Sequence, residues 1–376
     1  MKFKTPTNPF PVSGYYGPKY FCDREDESQK IVQLLKNGQS CLLMGNRRLG
    51  KTSLIHHIQG LLPKDWGFLY LDILSTENEQ HLLNKMGAAL LQNFPQKTSV
   101  GDKVWEFVKS LRPIISFDQL NGSPQVSFQT SQPEKPIRDI LSFLAELENP
   151  TVIAIDEFQQ IHAYPETNTD AWLRSAIQQL PNISFLFSGS RQSVLSEMFS
   201  DPSRPFYKSA SPLKLEKIDR AKYREFMVNT FASHGKSLAE ELADEMLEWT
   251  RSYTYYVQLL CNRLFQVQKT NYAQEDWHSC ADNILNENES FFIYYRTLLS
   301  TQQWKLLVAI AKTGTVYAPT SKDFIAKNQL GSAATVYKSI DSLLEKELIY
   351  KEFDSKGAIY YEVYDVFFER WIQRVF

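Results

Sequence analysis

A chain of 376 residues, 43% of them hydrophobic, is long enough for two or three packed units at about 150 residues each. A net charge of -2 and a pI near 6.3 exclude a global electrostatic pull onto nucleic acid or anionic membranes, so any such contact must come from a local patch. Cys22, Cys41, Cys261 and Cys280 are too far apart for a CxxC or Cys/His metal site and read as small buried hydrophobes of a reducing cytosol.

The first stretch, MKFKTPTNPFPVSGYYG, lacks the apolar centre of a signal peptide, and no later run of about 20 apolar residues could span a bilayer. A soluble, cytoplasmic protein without a membrane role is expected. Proline, glycine and aromatics make residues 1 to 20 an extended arm, expected to lie on the first domain. Asp23-Arg24-Glu25 then opens a helix carrying Ile31, Leu34 and Leu35, with Asp23 as the expected N-cap.

Ser40 to Met44 is a short apolar strand, followed by Gly45-Asn46-Arg47-Arg48-Leu49-Gly50-Lys51-Thr52 and the helix opened by Ser53. This order is what a phosphate-binding loop needs. The strand aims the loop, the glycines let backbone N–H groups come close to phosphate oxygens, and the helix N-terminus favours negative charge. With ATP bound, Lys51 would reach the β- and γ-phosphates, and with ADP the β-phosphate alone; Thr52 would present its hydroxyl to Mg²⁺, and Arg47 and Arg48 would face phosphate or an interface.

Gly67 to Ile73 is a buried strand, and Leu82 to Leu91 lies on a helix. Residues from about 95 to 135 interrupt the alternation with a hairpin, Ile114 to Leu120 and Gln125 to Gln129 around Asn121-Gly122. After a helix over Ile140 to Leu147, the strand Thr151 to Ile155 ends in Asp156-Glu157. A carboxylate pair at that strand end, downstream of the loop, suits a metal-orienting aspartate and a water-activating glutamate. Ile183 to Ser190 is another buried strand, ending in hydroxyls that make Ser188 or Ser190 a candidate γ-phosphate sensor. Strands alternating with helices imply an α/β fold with a parallel sheet covered on both faces.

From Arg220 the pattern is helical only, and from Leu298 three helices precede a hairpin at 348–352 and 359–363, a winged helix-turn-helix pattern. The organisation expected is therefore a core over 1–218, a helical lid over 219–297 and a winged helix over 298–376. The third helix of the last unit offers Ser332, Thr335, Tyr337, Lys338 and Ser339 amid Asp341, Glu345 and Glu347, thin in positive charge for duplex DNA.

GNRRLGKT, VIAIDEF and FLFSGS, introduced by FCDRE and followed by a lid and a winged helix, resemble the prokaryotic AAA+/STAND-type P-loop ATPases of the "archaeal ATPase" group, in the version common in Bacteroidetes-like genomes. The resemblance implies an ASCE-type P-loop NTPase sheet with an extra strand between the phosphate-loop strand and the Asp-Glu strand. It maps Lys51 and Thr52 onto the Walker A positions, Asp156 and Glu157 onto Walker B, and Ser188 or Ser190 onto the first sensor. It also places Asp23, Arg24 and Glu25 beside the adenine. It also implies an arginine finger supplied in trans within a homo-oligomer, for which Arg204 and Arg174 are candidates, the alternative for each being a structural salt bridge. The lid segment Arg251 to Tyr256 departs from the family's usual Gly-x-Pro or sensor arginine. The leading expectation is a slow Mg²⁺-dependent ATPase acting as a nucleotide-controlled switch with an unknown protein partner. The alternatives are a DNA-associated ATPase resembling origin-recognition loaders and a docking scaffold holding structural ADP.

Overall fold

The computed structural model describes residues 5–94, 96, 98–120 and 122–376. Met1 to Lys4 of the arm and Asn121 of the expected hairpin turn lie outside them. The chain divides into two compact units, one comprising Ser13–Ile218 and the other Pro6–Val12 with Asp219–Phe376.

The first unit runs α1 (Glu25–Lys36), β1 (Cys41–Met44), α2 (Lys51–Leu61), β2 (Gly67–Asp72), α3 (Glu79–Asn93), α4 (Ser99–Ser110), β3 (Ile114–Phe117), β4 (Pro124–Ser127), α5 (Glu134–Ala145), β5 (Thr151–Asp156), α6 (Thr169–Ile177), β6 (Ile183–Gly189), α7 (Gln192–Ser200) and β7 (Ser211–Lys214). Five strands form one sheet in the order β2-β5-β6-β1-β7, every pairing parallel. The extra strand between the loop strand and the Asp-Glu strand is β6. All six residues of β5 and all seven of β6 are buried, which is why both read as unbroken apolar runs rather than alternating ones. Parallel pairing brings the strand ends level: Met44 opposite Gly189, and Asp72 opposite Asp156. The loops after β1, β5 and β6 therefore emerge from one edge of the sheet.

Behind that edge lies an aromatic cluster. Phe158 sits 4.5 Å from Phe187, 5.9 Å from Phe199 and 5.1 Å from Phe206 between ring centroids, all of them buried. Emptying such a position costs about 3–5 kcal/mol, so the backbone at Glu157 is anchored by its neighbour's ring.

The inserted hairpin, β3 with β4, is antiparallel as expected. It is held to α3, where Asn84 Oδ1 accepts from Phe128 N at 2.9 Å and Gln80 Nε2 donates to Phe128 O at 2.8 Å. Gly87 makes the approach feasible, because a Cβ there would stand 2.7 Å from the Phe128 ring and 2.9 Å from Val126. Helices α4 and α7 were not among the sequence expectations. The first is capped by Thr98, whose hydroxyl accepts from Gly101 N at 3.0 Å.

The second unit runs α8 (Arg220–Ala232), α9 (Glu240–Trp249), α10 (Thr254–Gln266), α11 (Gln274–Thr297), α12 (Thr301–Thr313), α13 (Lys322–Asn328), α14 (Ala333–Glu345), β8 (Ile349–Phe353), β9 (Ile359–Val363) and α15 (Val366–Val375). The expected division near 298 is not a division of packing. The final helix, which sequence reasoning did not reach, joins both parts: Phe367 lies 4.6 Å from Tyr256 on α10, and Phe368 lies 5.4 Å from Phe292 on α11. A buried charge cluster does the same. Arg251, in a left-handed turn at φ 53, binds Glu362 of β9 and lies 3.0 Å from Glu369 of α15 and 3.1 Å from the Tyr350 hydroxyl. Burial works to lower the Arg251 pKa, but Glu369 foremost outweighs it and holds the guanidinium above its ordinary value. The lid arginine is thus committed to the winged segment.

The arm also departs from expectation, since Pro6–Val12 packs with the second unit. Phe10 is fully buried, 4.9 Å from Phe231 and 6.3 Å from Phe265, while Asn8 Nδ2 donates to Asn262 O and Asn262 Nδ2 donates to Phe10 O across this seam.

Candidate functional site

The loop after β1 is shaped by two glycines with different tasks. A Cβ on Gly45 would meet the Leu215 carbonyl oxygen at 3.0 Å, so this position needs the close approach. Gly50 caps α2 at φ 92, a left-handed angle that costs a glycine little. Arg48 is left-handed too, at φ 70, and exposed. The loop delivers Lys51 as the first residue of α2. Its ammonium is buried and folded back over the loop, donating to Gly45 O at 2.7 Å and Asn46 O at 3.0 Å. Burial lowers the Lys51 pKa, opposed by the charges of Glu157 and Asp156 and assisted by Arg47. Ser53 is half-buried in the first turn of the helix, whose free N–H groups and dipole face the loop.

Asp156 ends β5 and is 3% exposed. Its Oδ2 accepts from the Thr52 hydroxyl at 2.6 Å and the Tyr70 hydroxyl at 3.2 Å, while Oδ1 accepts from Glu157 N at 3.1 Å. Glu157 is in the left-handed region at φ 57, a conformation that costs a non-glycine residue about 1–3 kcal/mol and is found where function demands it. Its Oε2 accepts from Ser190 N at 3.2 Å, the Ser190 hydroxyl at 2.8 Å and Gln159 Nε2 at 2.5 Å. Ser190 also accepts from Arg47 Nε at 3.3 Å, and Gln192 Nε2 donates to Asn46 Oδ1 at 2.9 Å. A continuous set of hydrogen bonds thus runs from the phosphate-type loop, through Ser190, to Glu157.

The structure brings together Gly45 to Thr52, Asp156, Glu157 and Ser190. Ser188 stays apart: its hydroxyl is buried without a hydrogen-bond partner. At the α1 entry the N-cap is Arg24, not Asp23, and no side chain caps the helix, because two consecutive left-handed residues (Asp23 φ 55, Arg24 φ 79) turn the chain into it. Arg24 is 3% exposed and donates to Glu27 Oε1 and Glu216 O, each at 2.7 Å, and to Leu49 O at 3.5 Å. This guanidinium ties the α1 entry to the loop and to the segment after β7, while Glu25 is exposed. Arg204 is half-exposed and bound to Glu197 of α7, whose hydrogen bond raises its pKa. Arg174 on α6 has its Nε buried and unpartnered.

Sequence reasoning missed Gln159, Tyr70 and Gln192. The only available signals were a polar residue two places after Glu157 and a tyrosine two places before the end of β2.

Close glycine backbone, a helix N-terminus and a buried ammonium fit a nucleotide's phosphates. Thr52 and Asp156 pair two hard oxygen donors beside that cradle, the chemistry Mg²⁺ takes when it keeps several waters and binds phosphate as well. Among the described residues no cluster of three or more His, Cys, Asp or Glu could hold a metal by itself, so the cation's other ligands would be phosphate and water. No helix among them is long and apolar enough to cross a membrane.

Sheet order, loop and paired carboxylates define a P-loop ATPase core of the AAA+ kind, here with a winged helix domain. The chain belongs to the family described as an ATPase domain predominantly from Archaea, whose profile matches residues 21–260, and a probable winged helix domain matches residues 290–374. Among solved structures it is similar to the Walker-type ATPase paby2304 of Pyrococcus abyssi, at TM-score 0.67 and 17% identity, over 97% of this chain and 99% of that one. It is also similar to the ORC2 protein of Aeropyrum pernix, solved as ADPNP-ADP complexes, at TM-score 0.60 and 12% identity, over 96% and 97%. The ORC1 protein of the same organism, in complex with DNA, is similar at TM-score 0.51 and 13% identity, over 98% and 97%. At these identities the likeness is one of fold. No curated protein matches the sequence.

Proposed function

We propose that this protein is a slow, Mg²⁺-dependent ATPase of the STAND switch type, in which bound nucleotide governs the disposition of the helical and winged segments. The observation that carries the reading is Glu157, held in a strained left-handed turn next to the Thr52–Asp156 pair by the same serine that touches the phosphate-type loop. In this reading the loop amides and Lys51 take the β- and γ-phosphates, the ammonium exchanging its two carbonyls for phosphate oxygens. Thr52 and Asp156 would hold Mg²⁺, which supplies charge neutralisation on the phosphates. Glu157 accepts the proton of the attacking water. Ser190 senses the γ-phosphate through Arg47, and the turn at Asp23 to Glu25 borders the adenine. Arg204 would act in trans only by leaving Glu197, which requires a homo-oligomer.

The test is ATP turnover and ATP affinity of the full chain carrying Glu157→Gln. Affinity should stay within about threefold and turnover should fall by about 10²–10³-fold, the usual worth of a positioned base. Unchanged turnover removes Glu157 from its role, and ADP that survives purification with no turnover in the wild type supports a docking scaffold instead.

A second reading, a DNA-associated ATPase, is favoured by the whole-length similarity to a protein solved with DNA. Against it, the exposed side chains of α14 include Thr335, Tyr337, Lys338, Asp341 and Glu345, a nearly neutral set. Titration with random duplex at low salt separates the two, because phosphate-driven binding weakens steeply as salt rises.

A further inference from the structure

Gln159, the second residue after Glu157, is 6% exposed. Its amide nitrogen reaches Glu157 Oε2 at 2.5 Å, where the Ser190 N–H and hydroxyl also arrive. The hydrogen bonds to this carboxylate converge on one oxygen, and Oε1 accepts none of them. Two further features mark the place as built for this amide. Gln159 Oε1 is buried without a hydrogen-bond partner, an arrangement that lowers stability and that folded chains rarely keep without a reason. The room it occupies exists because residue 189 is glycine: a Cβ there would lie 1.9 Å from Gln159 Oε1 and 3.1 Å from its Cδ. No left-handed angle accounts for glycine at that position, so close approach is what requires it.

We infer that Gln159 is a positioning residue for Glu157, its amide saturating Oε2 together with Ser190 so that Oε1 is the oxygen that takes the proton. The inference rests on the hydrolytic role proposed above. In that step the water oxygen bonds to the γ-phosphorus, its proton passes to Oε1, and the P–O bond to ADP breaks with the electron pair leaving on ADP. Gln159 touches neither water nor nucleotide. It determines where the accepting oxygen stands, and Gly189 determines where Gln159 stands.

Two variants of the full chain test this. Gln159→Met keeps an unbranched side chain and removes both the donor and the orphaned acceptor, and Gln159→Leu removes both with a branched apolar side chain. Each should lower kcat about 10- to 100-fold, with KM for ATP within about twofold of wild type. Gln159→Met should melt at or above the wild-type temperature, which a merely structural glutamine would not allow. In a Glu157→Gln background the methionine variant should lower residual turnover no further, since the group it positions is gone. A kcat within twofold of wild type for Gln159→Met, or an undiminished further loss in the Glu157→Gln background, overturns the inference while leaving Glu157 in place. Turnover unaffected by Glu157→Gln alone would instead sink the hydrolytic reading, and this one with it.

Discussion

Each unit holds a pair of acidic side chains at its centre, and the two pairs are treated in opposite ways. In the first unit, Asp156 and Glu157 receive their hydrogen bonds from hydroxyls and amides: Thr52, Tyr70, Ser190, Gln159 and backbone N–H groups. In the second, Glu362 and Glu369 close on the guanidinium of Arg251. Neutral donors orient a carboxylate without cancelling its charge, which stays available to a cation or a proton. An arginine cancels the charge and turns the group into framework. The difference separates a place built to receive something from a place built to be complete.

The comparison is broken most forcefully at Arg251. Arg251→Met should cost about 3–5 kcal/mol, measured as loss of stability in denaturant, because it strands two buried carboxylates. Replacing Arg251, Glu362 and Glu369 together with apolar residues of similar volume should restore most of that loss, as expected of a closed cluster. Lys51→Ala should leave the denaturation midpoint nearly unchanged and weaken ATP binding by about 10³-fold in calorimetry, roughly 4 kcal/mol from two charge-assisted bonds to phosphate. Tyr70→Phe should be the mildest, about 1 kcal/mol. It should appear as weaker Mg²⁺ dependence of ATP binding, with metal-free affinity unaltered, since Tyr70 acts on the Thr52–Asp156 pair that would hold the cation.

The same contrast explains what the sequence disclosed. The loop, the Asp-Glu pair and the buried strands were legible because their chemistry depends on local spacing, and a parallel sheet then brings their ends together without further information. Gln159 and Tyr70 were not legible, because their roles depend on which way a side chain points after Glu157 turns left-handed or β2 pairs with β5. Arg251 was readable only as a departure from a family pattern. Its partners lie 99 to 118 residues away, on a hairpin and a final helix whose packing no periodicity announces. Near the boundary expected at 298 the motif changes while the packing continues, since Phe367 and Phe368 lie against α10 and α11.

The arm has a consequence for how the molecule is made. Phe10 is synthesised before the body of the first unit, whereas the rings of Phe231 and Phe265 that enclose it follow more than two hundred residues later. The second body therefore cannot finish until residues made before the first unit pack against residues made after it, a closure of long sequence separation and correspondingly slow. A protease cutting between Ile218 and Asp219 would leave the first unit's residues on one piece and the second unit without the aromatic plug that its own fragment does not encode.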